Sequence, residues 1–383
     1  MELGQYFTKD LILLSKIDEL IKNDTDIILE PSVGICSIVD YILKKRKVEF
    51  DMFEIDKRLN IPDKYKNKII YADFLKCKIT RLYKTIVGNP PYIKTKNGNL
   101  YIQFIERCFD LLDEDGELIF VIPSDFFKLT SSVKILNKMF DNGCFTHIYH
   151  PHNENLFENA KIDVLIFRYV KTNNIKVNKL FYNDDEKYIT NNNGLVLFQD
   201  TLTNEKNIYF NEIFDIYVGC VSGCDKVFKN KEYGNQTILT NENKYEKFIL
   251  IDKFPTNNQN LNNYLIENKQ ILLNRKIKKF NNNNWYEWGA LRNINNIKKY
   301  KNSECIYIKT LTRNANVAFG GNVGYFGGNL LILIPKQKMK LKKIIEFLNT
   351  DKFKSNFLYS GRFKIGHRQI SNSIIPNDFI NYG

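Results

Sequence analysis

The feature that most constrains this chain is an alternation of short apolar runs with helical patterns across its first 170 residues. Ile27-Ile28-Leu29, Phe50 to Phe53, Lys68-Ile69-Ile70, Thr85-Ile86-Val87 and Leu118 to Ile122 read as strands buried in a sheet. Between them, Cys36 to Lys45 and Leu100 to Leu112 carry helical periodicity; in the second, Tyr101, Phe104, Ile105, Cys108, Leu111 and Leu112 share one face. Strands that alternate with helices are joined by crossovers, which predicts a mainly parallel, doubly wound α/β sheet. A strand pair, Phe145 to Tyr149 and Val164 to Tyr169, is expected to close this unit.

From about Lys171 the pattern changes to shorter segments rich in Asn and Lys, with aromatics and the glycines Gly320, Gly321, Gly324, Gly327 and Gly328. A single core rarely grows beyond roughly 250 to 300 residues, so 383 residues predict two domains, 1–172 and 173–383, the second an α+β fold. Charge separates the same halves. Residues 1–170 hold 24 Lys and Arg against 25 Asp and Glu, whereas the remainder hold 32 against 18. The excess of +13 therefore lies in the C-terminal half, as expected of a polyanion-binding domain joined to a neutral one. An Asn- and Lys-enriching coding bias, visible in Asn281 to Asn284, would act on both halves and does not explain the imbalance.

Other classes are disfavoured. Seven scattered cysteines without CxxC spacing indicate neither a disulfide framework nor a zinc site; Cys220 and Cys224 form the one close pair. No signal peptide is read, and no apolar run approaches the ~18 residues of a membrane span, so an intracellular protein is expected.

The strongest local signal is Val87-Gly88-Asn89-Pro90-Pro91-Tyr92, at the end of the strand Lys84 to Val87, where open α/β sheets bind ligands. The lone pair of an aromatic amine is delocalised into its ring. Acceptors on both amino hydrogens would favour a more tetrahedral, nucleophilic nitrogen, and Asn89 can offer a side-chain carbonyl and Pro90 a backbone one. Tyr92 supplies a flat face for stacking. Taken alone, the string could also be a rigid turn closing a strand.

Its neighbours narrow the choice. Glu30-Pro31-Ser32-Val33-Gly34-Ile35-Cys36 closes the first strand with a tight turn at a helix start, where a cofactor can approach the backbone. Glu54, at the end of the second strand in Met52-Phe53-Glu54-Ile55-Asp56, is placed to bind ribose hydroxyls. An NAD domain shares this geometry, but GxGxxG is absent. After the third strand, in Tyr71-Ala72-Asp73-Phe74, Asp73 can accept from an adenine amine while Phe74 packs near its ring.

The ordered set Gly4-Gln5-Tyr6-Phe7-Thr8, Glu30-Pro31-x-x-Gly34, Phe53-Glu54-Ile55-Asp56, Ala72-Asp73-Phe74 and Asn89-Pro90-Pro91-Tyr92 resembles the gamma class of DNA adenine-N6 methyltransferases. The resemblance continues through Asn99-Leu100-Tyr101-x-x-Phe104, Asp115-Gly116-Glu117 with Leu118 to Pro123, and Asn155-Leu156-Phe157. It thins downstream, although Gly219-x-x-Ser222-Gly223-x-Asp225 and Gly361 to Gly366 are similar to elements of such recognition domains. The resemblance implies a Rossmann-like methyltransferase domain followed by a target-recognition domain. It also implies S-adenosylmethionine as cofactor, S-adenosylhomocysteine as product, and no metal. Tyr6, Thr8, Glu30 and Gly34 would hold the methionine end, Glu54 the ribose, and Ile55, Asp73, Phe74 and Phe104 the adenine, with Asn89 reaching the same site.

Asn89, Pro90, Pro91 and Tyr92 would form the catalytic motif, and Tyr92 and Phe157 would sandwich an adenine extruded from duplex DNA. Lys309, Arg313, Arg362, Lys364 and Arg368 are the candidate DNA contacts. A monomer is expected, and a cognate restriction endonuclease acting on the same site stays open. So do an RNA or protein-glutamine acceptor, a cytosine amine, and a non-catalytic DNA-binding relative. The family usually has a second glycine where this chain has Cys36; a Cβ there could crowd the methionine part of the cofactor, and weak cofactor binding and a shifted loop both stay open. Lys276, Lys278 and Lys279 are read as a solvated face, Trp285 and Trp288 as core, and His147, His150 and His152 as incidental.

Overall fold

Asp10 starts the first helix, α1 (Leu11–Leu20): its carboxylate accepts from the N–H groups of Ile12 and Leu13, both at 3.0 Å, which satisfies donors that a helix start leaves open. Leu13, Leu14, Ile17 and Leu20 are then buried on its inner side. The structure, a computed structural model, describes residues 6–96, 98–157, 160–173, 178–192, 194–200, 208–359 and 361–376. Gly4 and Gln5 of the first motif lie outside the described residues.

After α1 come β1 (Ile27–Glu30), α2 (Ser37–Leu43), β2 (Glu49–Glu54), β3 (Ile69–Tyr71), β4 (Tyr83–Gly88), α3 (Leu100–Leu111) and β5 (Leu112–Pro123). They are followed by α4 (Val133–Asp141), β6 (Gly143–Tyr149), β7 (Val164–Lys171), β8 (Lys179–Tyr182), β9 (Asp185–Asn192) and β10 (Leu195–Gln199). Among the described residues these strands make one ten-stranded sheet in the order β10-β9-β8-β6-β7-β5-β4-β1-β2-β3. β3, β2, β1, β4 and β5 run parallel, and β7 runs antiparallel to both β5 and β6.

Both faces of the parallel part are covered, as the apolar runs require. Ile28, Val87, Ile119 and Val121 pack with Leu13, Ile17, Ile38 and Ile42 of α1 and α2. Their sequence neighbours Leu29, Ile86, Leu118 and Phe120 pack on the other side with Ile102 and Ile105 of α3 and Leu136 and Met139 of α4. Because side chains alternate across a strand, only a continuously apolar strand satisfies both layers. The chain passes from β1 outward to β3 and then returns to β4 on the other side of β1. That reversal makes the carboxyl ends of β1 and β4 the crevice where ligands bind in open α/β sheets.

The opposite edge is closed by a buried ion pair. Glu117 on β5, fully buried, accepts from the N–H groups of Lys22 (3.1 Å) and Asn23 (3.0 Å), from the Thr85 hydroxyl (3.0 Å), and from Arg168 Nε of β7 (2.7 Å). Every acceptor site is in use, so the burial of this side chain inside the sheet leaves none of its polar atoms uncompensated.

The first compact unit spans Met1–Asn204 and the second Glu205–Gly383, so the division falls later than the boundary expected at 172/173. The reason is that β8 pairs in parallel with β6, Phe181 opposite His147, and β9 and β10 extend the same sheet as a hairpin. β9, Asp185–Asn192, is mostly polar and partly exposed, so it carries no core signal. In the second unit a four-stranded antiparallel sheet joins Phe214–Val218, Leu330–Pro335, Glu304–Lys309 and Ala318–Asn322, in that order. Beside it, Trp285 and Trp288 are buried with Phe228, Phe248 and Leu265, in the core as expected. Among the described residues no helix is long and apolar enough to cross a membrane.

Candidate active site

At the carboxyl ends of β1, β2, β3 and β4 lies a cavity of about 190 Å³. Its lining includes all ten residues assigned to cofactor binding: Tyr6, Thr8, Glu30, Gly34, Glu54, Ile55, Asp73, Phe74, Asn89 and Phe104. Of the catalytic motif, Asn89 and Pro91 line it, while Pro90 is buried beside it and Tyr92 and Phe157 stand outside. Residues 6 to 104 meet here because each parallel strand delivers its last residue to the same edge.

Two glutamates set the electrostatics. Glu54 is satisfied by backbone: Oε1 accepts from Ile55 and Asp56 N–H, and Oε2 from Gly34 N–H, all at 2.9 Å. It therefore holds the Gly34 turn against the end of β2. Glu30 is also buried, but its Oε2 finds no hydrogen-bond partner among the described residues. Burial, and then the nearby Glu54 charge, push the Glu30 carboxyl well above its ordinary value. The approach is close on every side: a Cβ on Gly88 would come within 3.2 Å of Glu30 Oε1 and 3.1 Å of Phe120.

The turn after β1 shows why glycines suit it. Gly34 has φ +55°, and a Cβ there would meet Phe7 at 2.9 Å. Cys36 has φ +63°, the left-handed region that glycine tolerates best. The reading in which its Cβ crowds the cofactor is corrected: the side chain is buried with Val33, Val39, Met52, Ile61, Tyr65 and Ile69 and does not line the cavity. Burial and then Glu30 and Glu54 push its thiol up to about 12, which keeps it protonated and unreactive.

Asn89 is held by its neighbours. Its Nδ2 donates to the Tyr6 carbonyl at 2.6 Å and to the Thr8 hydroxyl at 2.9 Å, so both amide hydrogens are engaged and the orientation of Oδ1 is set. Oδ1 lies in hydrogen-bond contact with the Tyr92 hydroxyl, which also lies 3.0 Å from the Val121 carbonyl of β5. Burial raises the Tyr92 phenol well above its ordinary value, so it stays a neutral donor.

The two rings expected to sandwich the base belong to one aromatic group. Tyr92 and Phe157 have centroids 6.3 Å apart at 77°, edge to face, and Tyr6 stacks on Tyr92 at 5.4 Å and 25°. Tyr6 also lies 5.6 Å from Phe157, and Tyr101 meets Tyr92 edge to face at 6.1 Å. On the other side of the cavity Phe74 stacks on Phe104 at 5.4 Å and 24°. Asp73 caps its own turn through Leu75 N–H at 3.1 Å and pairs with Lys76 at 2.8 Å.

Sequence reasoning passed over Phe7, Ser32, Ile93 and Leu100, which also line the cavity. Phe7 stood inside a quoted motif, whereas Ile93 and Leu100 are ordinary apolar residues whose role only the tertiary fold shows.

In the second unit, Arg362 and Lys364 are exposed on the strand Arg362–Lys364, whose partner Leu311–Thr312 leads directly into exposed Arg313. Arg368 is half-buried on the helix His367–Ser371. Lys309 differs from these: its side chain is buried, and its ammonium donates to the Asn316 carbonyl at 3.1 Å and lies 3.9 Å from Glu242. The Gly219 to Asp225 motif is likewise occupied internally, with Ser222 bonded to Asp225 and Arg275 donating to the Ser222 carbonyl.

The Eco57I restriction-modification methylase family matches residues 8–157. The chain is 27% identical over 197 residues to the Type II methyltransferase M.HincII of Haemophilus influenzae, covering 46% of this chain and 38% of that protein. It is 34% identical over 125 residues to the ribosomal RNA small subunit methyltransferase A of Flavobacterium johnsoniae, covering 30% of this chain and 45% of that protein. The chain thus spans less than half the length of these curated relatives. Among solved structures, the Type IIL restriction-modification enzyme MmeI in complex with DNA shares the fold over 95% of this chain and 64% of its own, with a TM-score of 0.59 and 10% identity. The Asn-Pro-Pro-Tyr turn and most of the residues lining the carboxyl-edge cavity lie within residues 8–157, the segment that is similar to the Eco57I restriction-modification methylase family.

Proposed function

We propose that this protein transfers a methyl group from S-adenosylmethionine to the N6 amine of an adenine flipped out of duplex DNA. The observation that carries this reading is the shared cavity: Asn89, with both amide hydrogens engaged so that Oδ1 serves as acceptor, opens on the same space as Glu30, whose buried Oε2 has no partner among the described residues.

The residues present fit the cofactor. A fully buried carboxylate oxygen without a donor costs about 1–3 kcal/mol, and the ammonium of a methionine moiety is the kind of donor that would offset it. Gly34 leaves the backbone bare beside it, Glu54 stands where ribose hydroxyls belong, and Ile55, Phe74 and Phe104 supply apolar surface for an adenine ring. When bound, S-adenosylmethionine supplies a methyl already activated on a sulfonium. The protein's own task is to align an amine with it.

Asn89 Oδ1 has two lone pairs. One accepts from Tyr92, and the other is free to take an amino hydrogen, with the Pro90 carbonyl the candidate for the second. Extrusion of a base costs roughly a few kcal/mol, and stacking on aromatic rings returns about 1–3 kcal/mol per base. Tyr92, Tyr6 and Phe157 are the rings available for that. The exposed Arg313, Arg362 and Lys364, in the half of the chain that carries the positive charge, are the proposed DNA contacts.

The similarity to a ribosomal RNA methyltransferase favours a second reading, in which the acceptor is RNA. Transfer of radiolabelled methyl from S-adenosylmethionine to duplex DNA, single-stranded RNA and a glutamine-containing protein, assayed side by side, separates them. Label in DNA alone is expected; label in RNA alone would replace the primary reading with the second.

A further inference from the structure

Phe157 lies on the loop that leaves β6 after Tyr149 and enters β7 at Val164, and both ends of that loop are held by one buried network. His150 Nε2 lies 2.8 Å from Asp163 Oδ1, and His150 Nδ1 lies 2.8 Å from the Tyr182 hydroxyl. The backbone of His150 is bonded too: its N–H donates to Asn183 Oδ1 at 2.7 Å and its carbonyl accepts from Asn183 Nδ2 at 3.2 Å. Asp163 turns its second oxygen to the Ser124 hydroxyl at 2.5 Å, and its carbonyl accepts from Ser124 N–H at 2.9 Å. His150, Asp163 and Ser124 are all buried.

We infer that His150 and Asp163 are positioning residues that, through Ser124, register the Phe157 loop to the carboxyl end of β5. This rests on the proposed base-flipping reaction. Ser124 follows β5 directly, and Val121, three residues earlier, presents the carbonyl that the Tyr92 hydroxyl reaches. One strand end therefore sets the place of two rings from separate loops. Within the Phe157 loop, Ile162 N–H donates to the Glu154 carbonyl at 3.1 Å, which carries the constraint from the clamp toward Phe157.

The arrangement is not a nucleophile with its base. The Ser124 hydroxyl reaches the carboxylate and not the imidazole, so nothing activates it for attack. A buried ion pair or hydrogen-bonded pair is also a weak source of net stability and is better suited to fixing a geometry. His150, which looked incidental in the sequence, has all four of its polar atoms engaged.

The test uses Asp163→Ala, His150→Gln and Ser124→Ala on duplexes whose mapped target adenine is either paired with thymine or placed opposite an abasic site. Asp163→Ala loosens a ring on which the extruded base stacks and should slow methylation of the paired target about tenfold. Opposite an abasic site, where extrusion costs little, the loss should shrink to about twofold. S-adenosylmethionine affinity, read by calorimetry, should be unchanged. Ser124→Ala removes one hydroxyl, serves if Asp163→Ala does not fold, and should show the same pattern at smaller amplitude. Equal losses on both substrates, or no loss on either, overturn the inference.

Hydrogen exchange supplies a readout without turnover. Amides of 151–157 should exchange faster in Asp163→Ala while those of β1 and β4 do not, and unchanged exchange at 151–157 also overturns it. Wild-type protein that methylates no DNA adenine would refute the parent reading alone, and the clamp would then stand or fall on the exchange result.

Discussion

Two glutamates buried in the same sheet have opposite surroundings. Glu117, at the amino edge, receives two backbone N–H groups, a hydroxyl and a guanidinium. Glu30, at the carboxyl edge, has an oxygen with no partner among the described residues and sits beside a second carboxylate that raises its pKa further. A protein gains nothing in stability from the second arrangement. The contrast teaches that burial of a charge is not in itself a mark of function; the mark is burial without internal compensation, facing a cavity. Glu117 belongs to the scaffold, and Glu30 to the site.

The comparison is broken most severely at Glu117. Glu117→Gln leaves Arg168 buried without its counter-charge, a loss of about 3–5 kcal/mol when one partner of a buried pair is removed. Urea denaturation should show that loss, while the folded fraction keeps its cofactor affinity; an unchanged midpoint would remove Glu117 from the scaffold.

Glu30→Gln should act in the opposite sense. The Glu30 carboxyl is raised in the folded state above its ordinary value of 4.5, so its contribution is full below that value and is lost as pH rises through the raised one. The amide carries no charge to bury. The variant should therefore match wild type near pH 4 and exceed it by about 1 kcal/mol at pH 8, while binding S-adenosylmethionine far more weakly. Thermal melts at the two pH values together with calorimetry check both halves, and a variant less stable at pH 8 would contradict the assignment of strain to this carboxylate.

The smallest effect belongs to Cys36→Gly. Relief of a left-handed cysteine is worth about 1 kcal/mol, and the emptied space among Val39, Met52 and Tyr65 costs a similar amount. Stability should shift by less than about 1 kcal/mol, with cofactor affinity unchanged because the thiol points away from the cavity. A large gain in affinity would show that Cys36 does obstruct the site.

Much of this site was legible in the sequence because parallel α/β sheets deliver strand ends to one edge. Once Ile27 to Leu29, Phe50 to Phe53 and Thr85 to Val87 are strands, Glu30, Glu54 and Asn89 must converge. The features that were not legible depend on contacts between distant segments. Tyr6 meets Tyr92, and His150 meets Asp163 and Tyr182, only through packing that no local spacing encodes. Strand β9 was hidden by its mostly polar sequence. Lys309 was placed with the DNA contacts for its charge and its nearness to a glycine-containing loop, whereas its burial is set by the tertiary fold. Cys36 was correctly marked as a departure from a glycine pattern, but the direction of its side chain is a property of the turn's φ, which the residue type does not reveal.

The central claim is that Asn89 presents an acceptor to the amine of an extruded adenine. Nucleoside mass spectrometry of mixed-sequence duplex DNA, incubated with S-adenosylmethionine and either wild-type protein or Asn89→Ala, tests it directly. The account predicts N6-methyladenine with wild type and a loss of about 10²–10³-fold in the variant, comparable to removal of one polar group aimed at a transition state, with DNA binding retained. Methylated cytosine, or N6-methyladenine formed equally well by Asn89→Ala, would contradict it.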